Sequence, residues 1–198
     1  MAIAVAHVKC DLREVVLRDK PQHMLEVSPK GTVPVILEPD GRVIEESLEI
    51  MHWALGQSDP ENWLVPEIGS LEQMMALIAE CDGPFKHALD RYKYPDRYED
   101  INAEDQRALG LKFLQRLDHH LGKATYLFGS RESLADNAIF PFIRQFANTD
   151  RAWFDALALP NLQLWLSHFL ESKRFQSIMR KYPQWKSGES EPIFPPQS

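Results

Sequence analysis

Two residue pairs within one 23-residue stretch, Val33-Pro34 and Glu46-Ser47, carry the strongest chemical signal in this chain. Glu46-Ser47 opens an amphipathic run whose apolar positions are Leu48, Ile50, Met51 and Leu55. A helix is therefore expected to start there, with Ser47 as its N-cap and Glu49 in its first turn, where an acid suits the helix dipole. A helix N-terminus offers unpaired N–H groups and partial positive charge, which attract a carboxylate. The neighbouring Glu46 carboxylate attracts an ammonium. With a strand gated by Pro34 beside them, these groups suit a small zwitterion.

The elements that position these residues can be read outward from them. Asp40-Gly41 is a hairpin signal, because a two-residue type I′ turn needs positive φ at both central positions. Its flanks, Val33–Leu37 and Arg42–Glu45, are short and β-branched, and Pro34 stands at the entrance of the first, where a missing N–H harms a sheet least. Upstream, Pro21 suits a first helical turn, so Gln22–Val27 reads as a short helix. Asp11–Arg18 alternates around Val-Val-Leu and reads as a strand. Residues 1–9 read as the end of a helix with Met1, Val5 and Val8 on one face.

Beyond residue 56 the texture changes. Residues 57–69 hold two prolines and no apolar period, and read as a linker that Trp63 and Leu64 could pin to a core. From residue 70 every periodic segment is helical: Leu71–Asp82, resuming after Gly83-Pro84, then Asn102–Leu121, Ser133–Asn148, Leu162–Leu170 and Arg174–Tyr182. Ser133 and Asp136 form a capping box with Asp in the usual Glu position. A proline-rich tail follows from Ser187. The expected organisation is an α/β unit over 1–56, the linker over 57–69, and an all-α unit over 70–198.

Composition narrows the function classes. A net charge of -7 with scattered basic residues argues against nucleic acid, which demands clustered Lys and Arg. No apolar run approaches the ~20 residues of a membrane span. Cys10 and Cys81 are too far apart in sequence to suggest a metal or redox pair and read as reduced thiols of a cytoplasmic protein. His119-His120 lacks the i, i+4 spacing of a helical metal pair, so it reads as a helix end and no metal site is expected.

Thr32-Val33-Pro34, Glu45-Glu46-Ser47 at a helix start and the Ser133–Asp136 cap, in this order and spacing, resemble the cytosolic glutathione S-transferase family over nearly the whole chain. The resemblance implies an N-terminal thioredoxin-like domain followed by a C-terminal helical bundle, with glutathione as cosubstrate. It implies that Pro34 is a cis-proline and that Val33 offers its backbone N–H and C=O to the cysteinyl part of glutathione. Glu46 and Ser47 would hold the ammonium and carboxylate of the γ-glutamyl end. Lys20, thirteen residues before Val33, matches the lysine that reaches the glycyl carboxylate in the cysteine-type, omega-like branch. A homodimer is implied, and the helix carrying Phe85–Tyr94 would face the thiol, its alternative being a partly solvated amphipathic helix.

In that family the catalytic Cys, Ser or Tyr lies on the first strand or at the start of the first helix. Met1 aligns with the middle of that helix, so the catalytic group is expected upstream of Met1 and the thioredoxin-like domain is expected to lack its first, central strand. Cys10 aligns at the far end of the helix and reads as a small buried hydrophobe. The tail over 192–196, three of its five residues proline, reads as a poor substitute for a central strand. The chain from Met1 is therefore expected to have little conjugating or thiol-transferase activity. Two functions stand side by side: a transferase that directs glutathione at a small electrophile or a disulfide, and a non-catalytic module that binds glutathione or protein partners on the same fold.

Overall fold

A computed structural model of the chain describes residues 1–196. In chain order the elements are α1 (Ala2–Val5), β1 (Cys10–Asp11), α2 (Gln22–Val27), β2 (Ile36–Leu37), β3 (Val43–Ile44) and α3 (Ser47–Gln57). There follow α4 (Leu71–Glu80), α5 (Lys86–Lys93), α6 (Ala103–Leu121), α7 (Leu134–Thr149), α8 (Arg151–Asp155), α9 (Pro160–Glu171), α10 (Lys173–Ile178) and β4 (Ile193–Phe194). They make two compact units, residues 1–61 together with 173 onward, and residues 62–172. The helical unit expected over 70–198 is thus shorter at its end, because the chain from Lys173 packs with the N-terminal residues. The division at 61/62 falls inside the segment expected to be a linker.

In the first unit α1 packs on α3, burying Ala2, Val5, Ala6, Ile50, Ala54 and Leu55 together. Helix α2 spans the residues expected of it, with Pro21 at the N-cap. The hairpin pairs Ile36 with Ile44 and Leu37 with Val43. Its turn differs from the expected type I′. Gly41 N–H donates to Glu38 C=O at 2.9 Å and Glu38 N–H to Arg42 C=O at 2.9 Å, which leaves a three-residue loop, Pro39-Asp40-Gly41. Pro39 fixes a negative φ at the first loop position, so only Gly41, at φ 91°, takes the left-handed conformation. The Trp53 indole donates to Glu38 at 2.8 Å and ties the hairpin to α3.

The strand expected over 11–18 is paired only at its start. β1 joins β4 in an antiparallel pair, Cys10 opposite Phe194 and Asp11 opposite Ile193, and beyond it only an isolated bridge links Val16 and Asp19. No ladder joins this pair to the β2–β3 hairpin. The tail, expected to be a poor substitute for a central strand, pairs with β1 alone, through Ile193 and Phe194, the two residues between its prolines. Pro192, which has no N–H to give, contributes its C=O to Leu12 N–H at 2.9 Å. Cys10, expected to be buried, is half-exposed on β1.

In the second unit α6 packs against α5 and α9, and α7 against α4 and α5. The core is aromatic: Phe140 stacks on Phe169 at 4.7 Å, and Trp165 meets Phe169 edge-on at 5.1 Å. Trp63 is fully buried here, and its C=O accepts from Leu134 N–H at 2.9 Å. The Ser133 cap forms as expected, with Asp136 returning to the Ser133 N–H at 3.0 Å. Residues 81–85 do not break the helix. They form one π-type turn between α4 and α5, with Lys86 N–H reaching Cys81 C=O. Pro84 lacks the N–H that would bond Glu80, and its ring would crowd that carbonyl, so the wider turn accommodates it. No helix among the described residues is long and apolar enough to cross a membrane.

Candidate functional site

Helix α3 begins at Ser47, one residue earlier than a Ser47 N-cap requires. Glu46 is the N-cap in an extended conformation, and no side chain caps the helix. Ser47 is instead the first helical residue, and Ile50 N–H makes the first intrahelical bond, to Glu46 C=O at 2.9 Å. The N–H groups of Ser47, Leu48 and Glu49 precede that bond and point out of the helix end. Ser47 and Glu46 are both exposed.

Two acids stand side by side at this end. Glu46 accepts from the Lys30 ammonium at 2.9 Å, which also lies 3.7 Å from Glu45. The hydrogen bond to Glu46, then the charges of Glu46 and Glu45, raise the Lys30 pKa. Glu45 accepts from the hydroxyl of the fully buried Ser28 at 2.6 Å. Lys30 and Ser28 were not singled out by sequence reasoning, and Glu45 only as part of the motif at the helix start. The pairs are separated by 16 and 17 residues, so no local spacing announces them.

The Val33–Pro34 peptide is cis, as expected for this position. Both residues are exposed, and neither the N–H nor the C=O of Val33 makes a hydrogen bond among the described residues. Val33 and Pro34 border a cavity of about 290 Å³ whose walls include Leu12, Val15, Met24 and Val27. Lys20 lies across the turn before Val33: a Cβ placed on Gly31 would come within 3.2 Å of its Nζ. Gly31 is held at φ 61° with its N–H bonded to Ser28 C=O at 2.9 Å, so a glycine suits both the backbone and the close approach of Lys20. Lys20, Val33-Pro34 and Glu46-Ser47 thus sit on three neighbouring segments of one unit, with no direct hydrogen bond or ion pair among the three groups.

Neither cysteine lines the cavity beside Val33-Pro34. Burial, and then the charge of Asp11, raises the Cys10 pKa. Cys81, buried in the π-type turn, is raised much further, by burial first and then by Asp82 and Glu80. Both are free thiols and are held protonated near neutral pH.

Two domain models of one family match the chain in series. Residues 1–63 match the model of the glutathione S-transferase N-terminal domain, and residues 87–168 match that of the glutathione S-transferase C-terminal domain. Among curated proteins the chain is similar to glutathione S-transferase omega-1 of Rattus norvegicus, 23% identical over 93% of this chain and 80% of the relative. It is also similar to omega-1 of Sus scrofa, 24% identical over 89% of this chain and 68% of the relative. Among solved structures it resembles a ternary complex of BphK, a bacterial GST, with a TM-score of 0.72 at 24% identity over 89% of this chain and 88% of that one. A glutathione S-transferase of Methylobacillus flagellatus with glutathione bound also gives 0.72, at 23% identity over 88% and 89%. The thioredoxin-like and helical architecture is the fold shared with these structures. The two domain models span most of the chain in the order the fold requires, and the chain belongs to the glutathione S-transferase family.

Proposed function

We propose that the chain binds glutathione as a cosubstrate, in the manner of an omega-like glutathione transferase that directs the thiol at a small electrophile or a disulfide. The observation that carries this reading is the open N-terminus of α3 beside a carboxylate on which an ammonium already rests. Lys30 occupies Glu46 at 2.9 Å, and the ammonium of a γ-glutamyl group has the same charge and donors. The adjoining carboxylate of that group would take the Ser47 hydroxyl and the free helix N–H groups. The unbonded N–H and C=O of Val33 would pair with the cysteinyl backbone of glutathione, with Pro34 shaping the strand behind them, and Lys20 would meet the glycyl carboxylate. Members of the family have been solved with glutathione bound, which favours this tripeptide over other zwitterions. A homodimer in the cytoplasm is the assembly and location that accompany the reading.

A second reading, a non-catalytic glutathione-binding module, is favoured by the two thiols themselves. Both Cys10 and Cys81 are shifted away from the thiolate form, so neither suits nucleophilic exchange.

Titration calorimetry with glutathione and with its N-acetyl derivative tests the site. Glutathione should bind, and N-acetylation, which removes the ammonium, should weaken binding strongly. Glu46→Ala should cost up to about 3 kcal/mol, the ~1.5–3 of a charge-assisted bond less the little that the exposed Lys30 pair already supplied. Equal affinity for both ligands would remove Glu46 from the assignment, and no heat with either would refute the glutathione reading.

A further inference from the structure

The last described residues do not trail off the N-terminal unit. They run back along residues 10–19 as a strap held at both ends. At its far end, β4 pairs with β1 and Pro192 C=O accepts from Leu12. At its near end, Trp185 N–H donates to Glu14 C=O at 2.9 Å, and the Gln184 amide donates to the Asp19 carboxylate at 3.0 Å. Between them the strap turns on itself, with Glu189 N–H bonded to Lys186 C=O at 3.0 Å. Two side chains of the cavity wall are engaged by it. Arg13 pairs with Glu191 at 2.6 Å and lies 4.8 Å over the Trp185 ring, while His23 meets that ring edge-on at 4.9 Å.

The strap is specific but lightly held. Residues 186–190 are exposed, Ile193 is 42% exposed, and the ion pair to Arg13 is open to water. A two-residue strand with exposed polar contacts belongs to the low-stability end of a structure, where segments open without global unfolding. The cavity that Arg13 and His23 help to line is mainly aliphatic and bordered by Val33-Pro34. We propose that residues 184–194 are a displaceable strap: docked, they fix Arg13 and His23 in the cavity wall, and undocked, they release that wall and admit apolar molecules to the cavity beside Val33-Pro34. The inference stands on these contacts and does not depend on what binds at Glu46.

The pairing of Cys10 with Phe194 supplies the test. Directly opposed antiparallel residues lie at a separation that a disulfide spans, so Phe194→Cys, oxidised with diamide, should lock the strap. Cys81 is buried and spared. Entry of anilinonaphthalene sulfonate, followed by stopped-flow fluorescence on the full chain, should slow by about tenfold or more, equivalent to ~1.4 kcal/mol, and recover with dithiothreitol. The double variant Trp185→Ala, Glu191→Ala, which loosens the strap without a new bond, should speed entry. Equal rates in locked, reduced and loosened proteins would overturn the gate, and absence of dye binding in all of them would overturn access to the cavity. Failure of the disulfide to form would overturn the strand pairing itself. Glutathione calorimetry on the unoxidised samples, where no disulfide can exchange with its thiol, reports separately on the site at Glu46.

Discussion

Truncating Asp136 to alanine should destabilise the helical unit more than any surface change in this protein. Asp136 is fully buried, and its carboxylate accepts four hydrogen bonds: from Leu127 N–H and the Trp165 indole at 2.9 Å each, from Ser133 N–H at 3.0 Å, and from the Ser133 hydroxyl at 2.6 Å. The hydroxyl can turn to another acceptor, but the three N–H donors cannot. At ~1–3 kcal/mol for each buried unsatisfied group, the loss is about 3–9 kcal/mol, against ~5–15 for a whole domain. Asp136→Asn should cost less. Its carbonyl can keep Leu127 and Trp165, so only the Ser133 N–H meets an amide that cannot accept, at about 1–3 kcal/mol. Guanidinium unfolding followed by both tryptophan fluorescence and far-ultraviolet circular dichroism would measure the series. An alanine variant within about 1 kcal/mol of the parent, or an asparagine variant as unstable as alanine, would refute the assignment of these bonds.

The same carboxyl should give stability a pH signature. Burial pushes its pKa up to about 6, against the four hydrogen bonds that favour the charged form. The folded value lies above the ordinary value near 4, so this stabilising contribution is full below about pH 4 and is lost as pH rises through about 6, a change of about 3 kcal/mol. Unfolding of Asp136→Asn across that range should lack this component. Gly110→Ala, although alanine favours helices, should destabilise by about 1–3 kcal/mol, because a Cβ at this buried position of α6 would overlap the Phe146 ring; a rise in melting temperature would contradict the packing. Light scattering at micromolar concentration should give twice the chain mass for the proposed homodimer, and a single-chain mass would dismiss it.

What the sequence disclosed and what it hid divide along range. Helix α2, the start of α3 within one residue, and the Ser133–Asp136 cap are written in residues a few positions apart, where capping and periodicity act. The hairpin was legible but not its turn, because Asp-Gly suggests a two-residue loop while Pro39 before it shifts the loop by one residue. In the sequence Gly83-Pro84 reads as an interruption, since such a pair usually ends a helix, whereas the structure carries the helix through it in one π-type turn. Two features had no local signature. The Lys30 ion pair to Glu46 bridges a hairpin, and the strap meets β1 across nearly the whole length of the chain. The prolines that make the tail unfit for a central strand flank the two residues that pair with β1.

The π-type turn at 81–85 also changes how related sequences should be compared. It inserts one residue into a continuous rod, and each residue of an α-helix turns it by about 100°. A relative with one residue fewer here would have no shorter loop to show for the gap. Its rod would be rethreaded, so that everything after the gap is rotated by roughly a quarter turn or more. Leu89 and Tyr92, which now face the interior and place the Tyr92 ring 5.0 Å from Phe146, would swing away from it. A one-position gap in this stretch is thus a change of phase, and residues aligned across it by letter would not occupy the same side of the helix.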